Sequence, residues 1–151
     1  MQKAQEILIR NEEETKKFGR QLANHLKPGS VVALIGDLGT GKTTLTKYIG
    51  QGLGIDEMIT SPTFTVIQEY RNSKIPLYHF DVYRLQSEHE LLELGYEEYF
   101  YGEGITIIEW ADKIQNLLPE DAISIHMYYG ETEGQRRYLV EGLDGAELCG
   151  F

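Results

Sequence analysis

The sequence predicts a three-layer α/β domain built on a mixed β-sheet. Three observations carry that expectation. The apolar run Val31-Val32-Ala33-Leu34-Ile35 leads through a glycine-rich stretch into Thr43-Thr44-Leu45-Thr46-Lys47-Tyr48-Ile49, whose apolar residues fall at helical spacing. Strand and helix signals alternate along the remaining chain. They do so around segments that read as hairpins, so parallel and antiparallel strands must share one sheet.

Glu6-Ile7-Leu8-Ile9-Arg10 is the first candidate strand. Asn11 is a good helix N-cap with Glu14 three residues on, and Glu12 to Glu14 suit the positive end of a helix dipole. Phe18, Leu22, Ala23 and Leu26 form an apolar stripe, and Pro28-Gly29 ends that helix. The glycine-rich loop and its helix follow, closing near Gly52 and Gly54. After the loop Ser61-Pro62-Thr63, Phe64 to Tyr70 is β-branched and aromatic enough for a strand. Arg71-Asn72-Ser73-Lys74 is a polar turn, and Ile75 to Phe80 returns as the second strand of a hairpin. Glu88 to Leu94 reads as a short helix ending at Gly95, and Ile105 to Ile108 as a short buried strand. A helix from about Ala111 to Leu118 stops before Pro119. Ala122 to Tyr129 and Arg136 to Leu143, joined through Gly130 and Gly134, form the last hairpin. No internal repeat or low-complexity segment interrupts this order.

A chain of 151 residues has room for one domain, taken as 1–151, and little for a second core. Hydrophobic residues at 41% and charged residues at 25% match an ordinary globular protein. No stretch approaches the roughly 18 apolar residues of a membrane span. Met1-Gln2-Lys3-Ala4-Gln5-Glu6 lacks the basic-then-apolar layout of a signal peptide, and the lone Cys149 can form no intrachain disulfide. A cytoplasmic protein with no membrane partner is expected. Formal net charge is −10, from 14 basic and 24 acidic residues, which argues against a basic surface tracking nucleic-acid phosphates. Between Arg84 and Lys113 no Lys or Arg occurs, while Glu88, Glu90, Glu93, Glu97, Glu98, Glu103, Glu109 and Asp112 do. If RNA enters the function, another protein holds it.

Gly36-Asp37-Leu38-Gly39-Thr40-Gly41-Lys42-Thr43 fits G-x-x-x-x-G-K-[S/T] between a strand and a helix, the context of a phosphate-binding P-loop. The bland alternative, a chance glycine turn, must explain eight positions and both flanks. Glycines let the backbone wrap a phosphate with N–H groups pointing inward at a helix N-terminus. Lys42 would reach the β- and γ-phosphates and the Thr43 hydroxyl would ligate Mg²⁺. A nucleoside triphosphate or its diphosphate with Mg²⁺ is therefore the expected ligand, contacted by Asp37, Leu38, Gly39, Thr40, Gly41, Lys42, Thr43 and Thr44.

Hydrolysis further needs metal ligands and a group that positions water. Asp81 ends Leu77-Tyr78-His79-Phe80-Asp81 and Glu109 ends Ile105-Thr106-Ile107-Ile108-Glu109, where strand ends face ligands in open α/β sheets. Each competes with a plain solvated strand-end acid, and the sequence leaves open which binds Mg²⁺ and which orients water. Ser61-Pro62-Thr63-Phe64-Thr65 holds the chain position of a switch loop, against the alternative of an ordinary Pro turn. His79, inside an apolar strand, reads as a packed histidine rather than a catalytic one. Core packing is the default for Trp110, and Tyr96, Tyr99, Phe100 and Tyr101 divide between core and interface. Arg84 is either an ion-pair partner of one of the acids or a phosphate contact.

Together with His79-Phe80-Asp81-Val82-Tyr83-Arg84-Leu85, Ile108-Glu109-Trp110, the Ser61 to Thr65 segment and the phosphate loop, the chain closely resembles the TsaE (YjeE-type) family. The resemblance runs from about Glu12 to about Leu143 and rests on four motifs in order. Its members are small bacterial ATPases of tRNA threonylcarbamoyladenosine biosynthesis, which implies a P-loop NTPase-like fold and ATP or ADP as the nucleotide. It also implies work with the TsaB–TsaD pair, which modifies the adenosine beside the anticodon, so that tRNA is met only indirectly. By matched position Lys42 and Thr43 take the phosphate-loop roles, Glu109 is a Mg²⁺ ligand, Asp81 belongs to the hydrolytic centre and Thr63 to the switch-like loop. Glu12 and the pair Arg136-Arg137, Arg137 above all, are candidates for nucleotide contact. Thr40 departs from the family's usual Ala, which leaves the backbone donors intact. Two other classes compete: a small-molecule or nucleoside kinase, which would want an arginine-rich lid, and a nucleotide-gated binding module with negligible hydrolysis.

Overall fold

The computed structural model describes residues 4–60, 62, 66–71 and 73–143. Its elements are β1 (Gln5–Ile9), α1 (Glu12–Ala23), β2 (Val31–Gly36), α2 (Lys42–Gly52), β3 (Ile67–Tyr70), β4 (Leu77–Asp81), α3 (Glu88–Glu93), α4 (Tyr96–Phe100), β5 (Ile105–Glu109), a 3₁₀ segment (Ala111–Leu117), β6 (Ile123–Tyr129) and β7 (Arg136–Glu141). All seven strands join one sheet in the order β1-β7-β6-β2-β5-β4-β3. The central strands β6, β2, β5 and β4 are parallel. The β3–β4 and β6–β7 hairpins and the β1–β7 pair are antiparallel. The expected mixed sheet is present, with its hairpins flanking a parallel centre instead of forming it.

Continuous apolar runs such as Val31 to Leu34 follow from burial on both faces. Val32 and Leu34 face the core under α1 and α2, with Phe18, Leu22, Leu45 and Ile49. Val31 and Ala33 face the opposite core, with Leu91, Tyr96, Phe100 and Ile114 from α3, α4 and the 3₁₀ segment. Strand periodicity thus divides one sheet between two helical layers.

The N-cap of α1 is as its sequence implies. The Asn11 side chain accepts from the Glu14 N–H at 3.0 Å, and the Glu14 carboxylate accepts from the Arg10 N–H at 2.8 Å. The helix stops at Ala23, earlier than Pro28-Gly29 suggests, because His25 and Leu26 bond three residues back and tighten the chain into a turn. Leu26 stays buried there. Strand β3 is shorter than expected: Val66 lies at φ 67°, outside the strand region, and Phe64 and Thr65 fall outside the described residues. Gly95, at φ 71°, ends α3 and also opens α4, which the sequence reading did not foresee. The helix expected from Ala111 is a 3₁₀ segment broken at Ile114, where φ −126° and ψ 34° leave helical space.

Helices α1 and α2 cross at glycine. A Cβ on Gly19 would stand 2.8 Å from Tyr48 Cβ and 3.1 Å from the Ile49 nitrogen, and one on Gly52 would stand 2.7 Å from Ala23 Cβ. An exposed helical glycine replaced by alanine gains about 1 kcal/mol in propensity. Here the obstructing atoms are backbone and Cβ, which cannot swing aside, so overpacking of about 1–3 kcal/mol wins. Gly19→Ala is therefore expected to lower the urea midpoint with an unchanged m-value; a raised midpoint would refute the close-crossing account.

Candidate nucleotide and metal site

The parallel centre places the carboxyl end of β2 between β5 and β6, the point where strand order reverses and ligands bind in open α/β sheets. From there the chain enters the loop before α2 through Gly39 at φ 84° and Gly41 at φ 95°, a left-handed region that L side chains rarely adopt. Thr40 is buried and its hydroxyl donates to the Asp37 carbonyl at 2.8 Å, so the loop accommodates the extra hydroxyl internally.

Two side chains from the β6–β7 hairpin hold the outer side of the loop. The Tyr129 hydroxyl donates to the Leu38 carbonyl. The Arg136 guanidinium donates to the Gly39 carbonyl at 3.2 Å and the Thr40 carbonyl at 3.3 Å, while lying 4.9 Å from the Tyr129 ring centre. In a planar trans peptide the C=O and the following N–H point in opposite directions. Drawing the Leu38 and Thr40 carbonyls toward the hairpin turns the N–H groups of Gly39 and Gly41 away from it.

Strand alternation supplies the acids. On the α2 face of β5, Ile105 and Ile107 pack into the core and Glu109 comes next; on β4 the same face carries Leu77, His79 and Asp81. Asp81 and Glu109 are register partners at adjacent strand ends. Glu109 is only 3% exposed, and both its oxygens accept from the Thr43 hydroxyl, at 2.9 and 3.0 Å. His79 Nε2 lies 2.5 Å from the second oxygen. Asp81 accepts from the Tyr83 N–H at 3.0 Å.

Lys42, 5% exposed, donates from Nζ to the Gly36 and Asp37 carbonyls at 2.8 and 2.9 Å and sits 3.9 Å from the centre of the Trp110 ring. Trp110 in turn is held at φ 62° and packs on Tyr83. Burial pulls the Lys42 amine below the 10.5 of a solvated lysine, against the charges of Glu109, Asp112, Asp37 and Asp81, which push it up.

Lys42, Thr43, Asp81, Arg84, Glu109 and Trp110 line a cleft of about 570 Å³. A second cavity, of about 460 Å³, lies across the loop and is lined by Glu12, Thr15, Arg136 and Tyr138. Gly39, Gly41 and Thr44 line both, so the loop is a shared wall. The Glu12 carboxylate accepts from the Tyr48 hydroxyl at 3.1 Å. The expected residues Asp37, Leu38, Gly39, Thr40, Gly41, Lys42, Thr43, Thr44, Asp81 and Glu109 thus meet at one loop, with Glu12 beside it.

Arg137 is not brought there: it points from the opposite face of β7, 3.8 Å from Glu6 and stacked near Tyr128. Alternation along the strand allows only one arginine of the pair on the loop side, and it is Arg136. Thr63 lies outside the described residues. The sequence reading missed Tyr129, whose role depends on the register of β6 beside β2, and underrated His79, since strand patterning cannot tell a packed histidine from one aimed at a neighbouring acid.

A glycine loop at the carboxyl edge of a parallel sheet, a buried lysine behind it and strand-end acids beside the helix start define a P-loop-type α/β domain. The family described as Threonylcarbamoyl adenosine biosynthesis protein TsaE matches residues 9–138, and the chain belongs to that family. It is 50% identical over 140 residues to the tRNA threonylcarbamoyladenosine biosynthesis protein TsaE of Bacillus subtilis, covering 92% of this chain and 87% of that one. The Nostoc sp. protein of the same name is 44% identical over 135 residues, covering 87% and 82%. The crystal structure of Bacillus subtilis YdiB is similar with a TM-score of 0.81 at 38% identity, covering 95% of this chain and 88% of that one. No helix among the described residues is long and apolar enough to cross a membrane.

A phosphate beside Lys42 would favour its protonated form, whereas burial in the free protein disfavours it. Nucleotide binding is therefore expected to take up a proton at alkaline pH, and affinity to fall as pH rises toward the lysine range. Calorimetry of ADP binding in buffers of different ionisation enthalpy measures this uptake. Lys42→Met, which has no amine to protonate, should lose it; equal uptake in both proteins would remove Lys42 as the source.

Proposed function

We propose that the chain is a single-domain P-loop ATPase of tRNA threonylcarbamoyladenosine biosynthesis, working in the cytoplasm with the TsaB–TsaD complex and meeting tRNA only through it. The observation that carries the reading is the Thr43–Glu109 contact at the start of α2, beside the buried Lys42. A hydroxyl and a carboxylate bound to each other at a helix N-terminus fit Mg²⁺, which takes one or two protein oxygens and completes its shell with phosphates and water. Among the described residues no group of three His, Cys, Asp or Glu side chains could hold a metal alone, as befits a cation that arrives with its nucleotide. Bound there through Thr43 and Glu109, Mg²⁺ would neutralise charge on the β- and γ-phosphates.

The chain's own groups supply the rest. The loop N–H groups and the α2 N-terminus bind phosphate, Lys42 follows charge onto the γ-phosphate, and Asp81 orients water. Thr63 belongs to the switch-like loop. Glu12 and Arg136 line the cavity across the loop, which suits the nucleoside end of a ligand whose phosphates lie on the shared wall. Membership of a tRNA-modification family argues against a kinase.

Lys42→Ala is expected to abolish hydrolysis in a chain that circular dichroism shows to be folded, though less stable, since the Lys42 charge also offsets the burial of Glu109. Glu109→Ala should weaken Mg²⁺-dependent hydrolysis more than metal-free nucleotide binding, and Asp81→Asn should spare Mg·ATP affinity while cutting turnover. Phosphate release paired with binding titrations separates these; identical behaviour of the two acid variants would merge Asp81 and Glu109 into one metal site. Undiminished turnover in the Lys42 variant would sink the ATPase reading.

The isolated chain should hydrolyse ATP slowly, and the partner pair should accelerate it, since a group supplied in trans can contribute about 10³–10⁵ in rate. Glu97 and Glu98 are exposed on α4 beside Tyr101, which is 64% exposed. Reversing both charges should reduce the stimulation and leave basal hydrolysis alone, most clearly at low salt. Unchanged stimulation in the double variant takes this patch out of the interface.

A further inference from the structure

We propose that His79 is the positioning residue of the metal site: through Nε2 it fixes the Glu109 carboxylate in the orientation that meets Thr43. The inference rests on the proposed metal role of Glu109 and deepens it. His79 is fully buried at the register position before the strand end, two residues below Asp81 on the same face of β4. Its Nε2 lies 2.5 Å from Glu109 Oε2, the oxygen that also receives the Thr43 hydroxyl at 3.0 Å. Its Nδ1 is buried with no hydrogen-bond partner among the described residues. A hydrogen on Nδ1 would have no acceptor there, whereas one on Nε2 faces a carboxylate, so the ring stands as the Nε2–H tautomer.

A carboxylate on a flexible side chain can turn about its terminal torsion, which is soft. The imidazole opposes that rotation from below while Thr43 engages from above. A nearly buried acid would otherwise gain by turning toward any available donor. This is the role that a buried partner plays behind a metal-ligating side chain, where its loss typically costs 10–100-fold in metal affinity. An apolar core histidine with no such duty would not direct its one donor at the acid of the phosphate site.

The test compares His79→Leu, His79→Gln and His79→Asn. Glutamine places an amide nitrogen at the same number of bonds from the backbone as Nε2; asparagine falls one bond short. Trp110, the single tryptophan, lies 3.9 Å from Lys42 Nζ, so its fluorescence reports ADP binding with chelator present and across graded MgCl₂. In the Leu and Asn variants the Mg²⁺ concentration for half-maximal enhancement is expected to rise about 10–100-fold. Chelator-present affinity should hold, and Gln should restore most of the Mg²⁺ response. If the Leu variant does not fold, the Asn and Gln variants decide alone.

A Leu or Asn variant that keeps the wild-type Mg²⁺ response overturns the proposal. So does equal loss of metal-free and metal-dependent binding, or a Gln variant no better than Asn. Should the wild type itself show no Mg²⁺ enhancement, and Glu109→Ala change nothing, the metal role of Glu109 fails. Loss in Glu109→Ala with none in His79→Leu fails this inference alone.

Discussion

The bond between Thr43 and Glu109 joins the start of α2 to the end of β5, and the site depends on it. Each partner is where it is for an ordinary structural reason. Glu109 follows Ile105 and Ile107 on the buried face of β5, and Thr43 lies in the first turn of the helix that the glycine loop launches from β2. Burying a carboxylate costs several kcal/mol unless charge and hydrogen bonds offset it. Here the Thr43 hydroxyl, the His79 ring and the Lys42 charge do so together. The acid cannot leave, and removing one of its partners strands a charge in the sheet edge.

The loop above it is constrained from the other side. Arg136 and Tyr129 take three successive carbonyls, Leu38 to Thr40, and Lys42 takes those of Gly36 and Asp37. A loop that carried its carbonyls inward would repel phosphate. The final hairpin is thus part of the site, even though it contributes none of the motif residues.

Much of this is legible in the sequence alone. The phosphate loop, the strand-end acids and the mixed three-layer sheet followed from motif spacing, from apolar runs such as Ile105 to Ile108 and from capping at Asn11. What was not legible depended on facing. Arg136 and Arg137 are adjacent and chemically alike, and only the register of β7 on β6 decides which one meets the loop. His79 looked like core because it is core; its aim at Glu109 comes from parallel pairing of β4 with β5, 30 residues away. Helix ends failed for local reasons: three-residue bonds close α1 early, and Gly95, an evident stop, also serves as a start.

These features share a physical logic. Trp110 and Val66 hold positive φ, a costly conformation for large or branched residues, and Lys42 is buried against its preference for charge. Each is a cost to the free protein, and each lies at the cleft wall. A domain selected for stability alone would discharge them by substitution. On the proposed reading these costs are kept for the ligand, since a phosphate beside Lys42 would favour the charged amine that burial opposes. Ligand and fold would then stabilise one another through the same groups, because any ligand that binds only the folded state raises its stability. Trp110 and Val66 pack at the margin of the second core, so these costs sit at the sheet edge where the cleft opens.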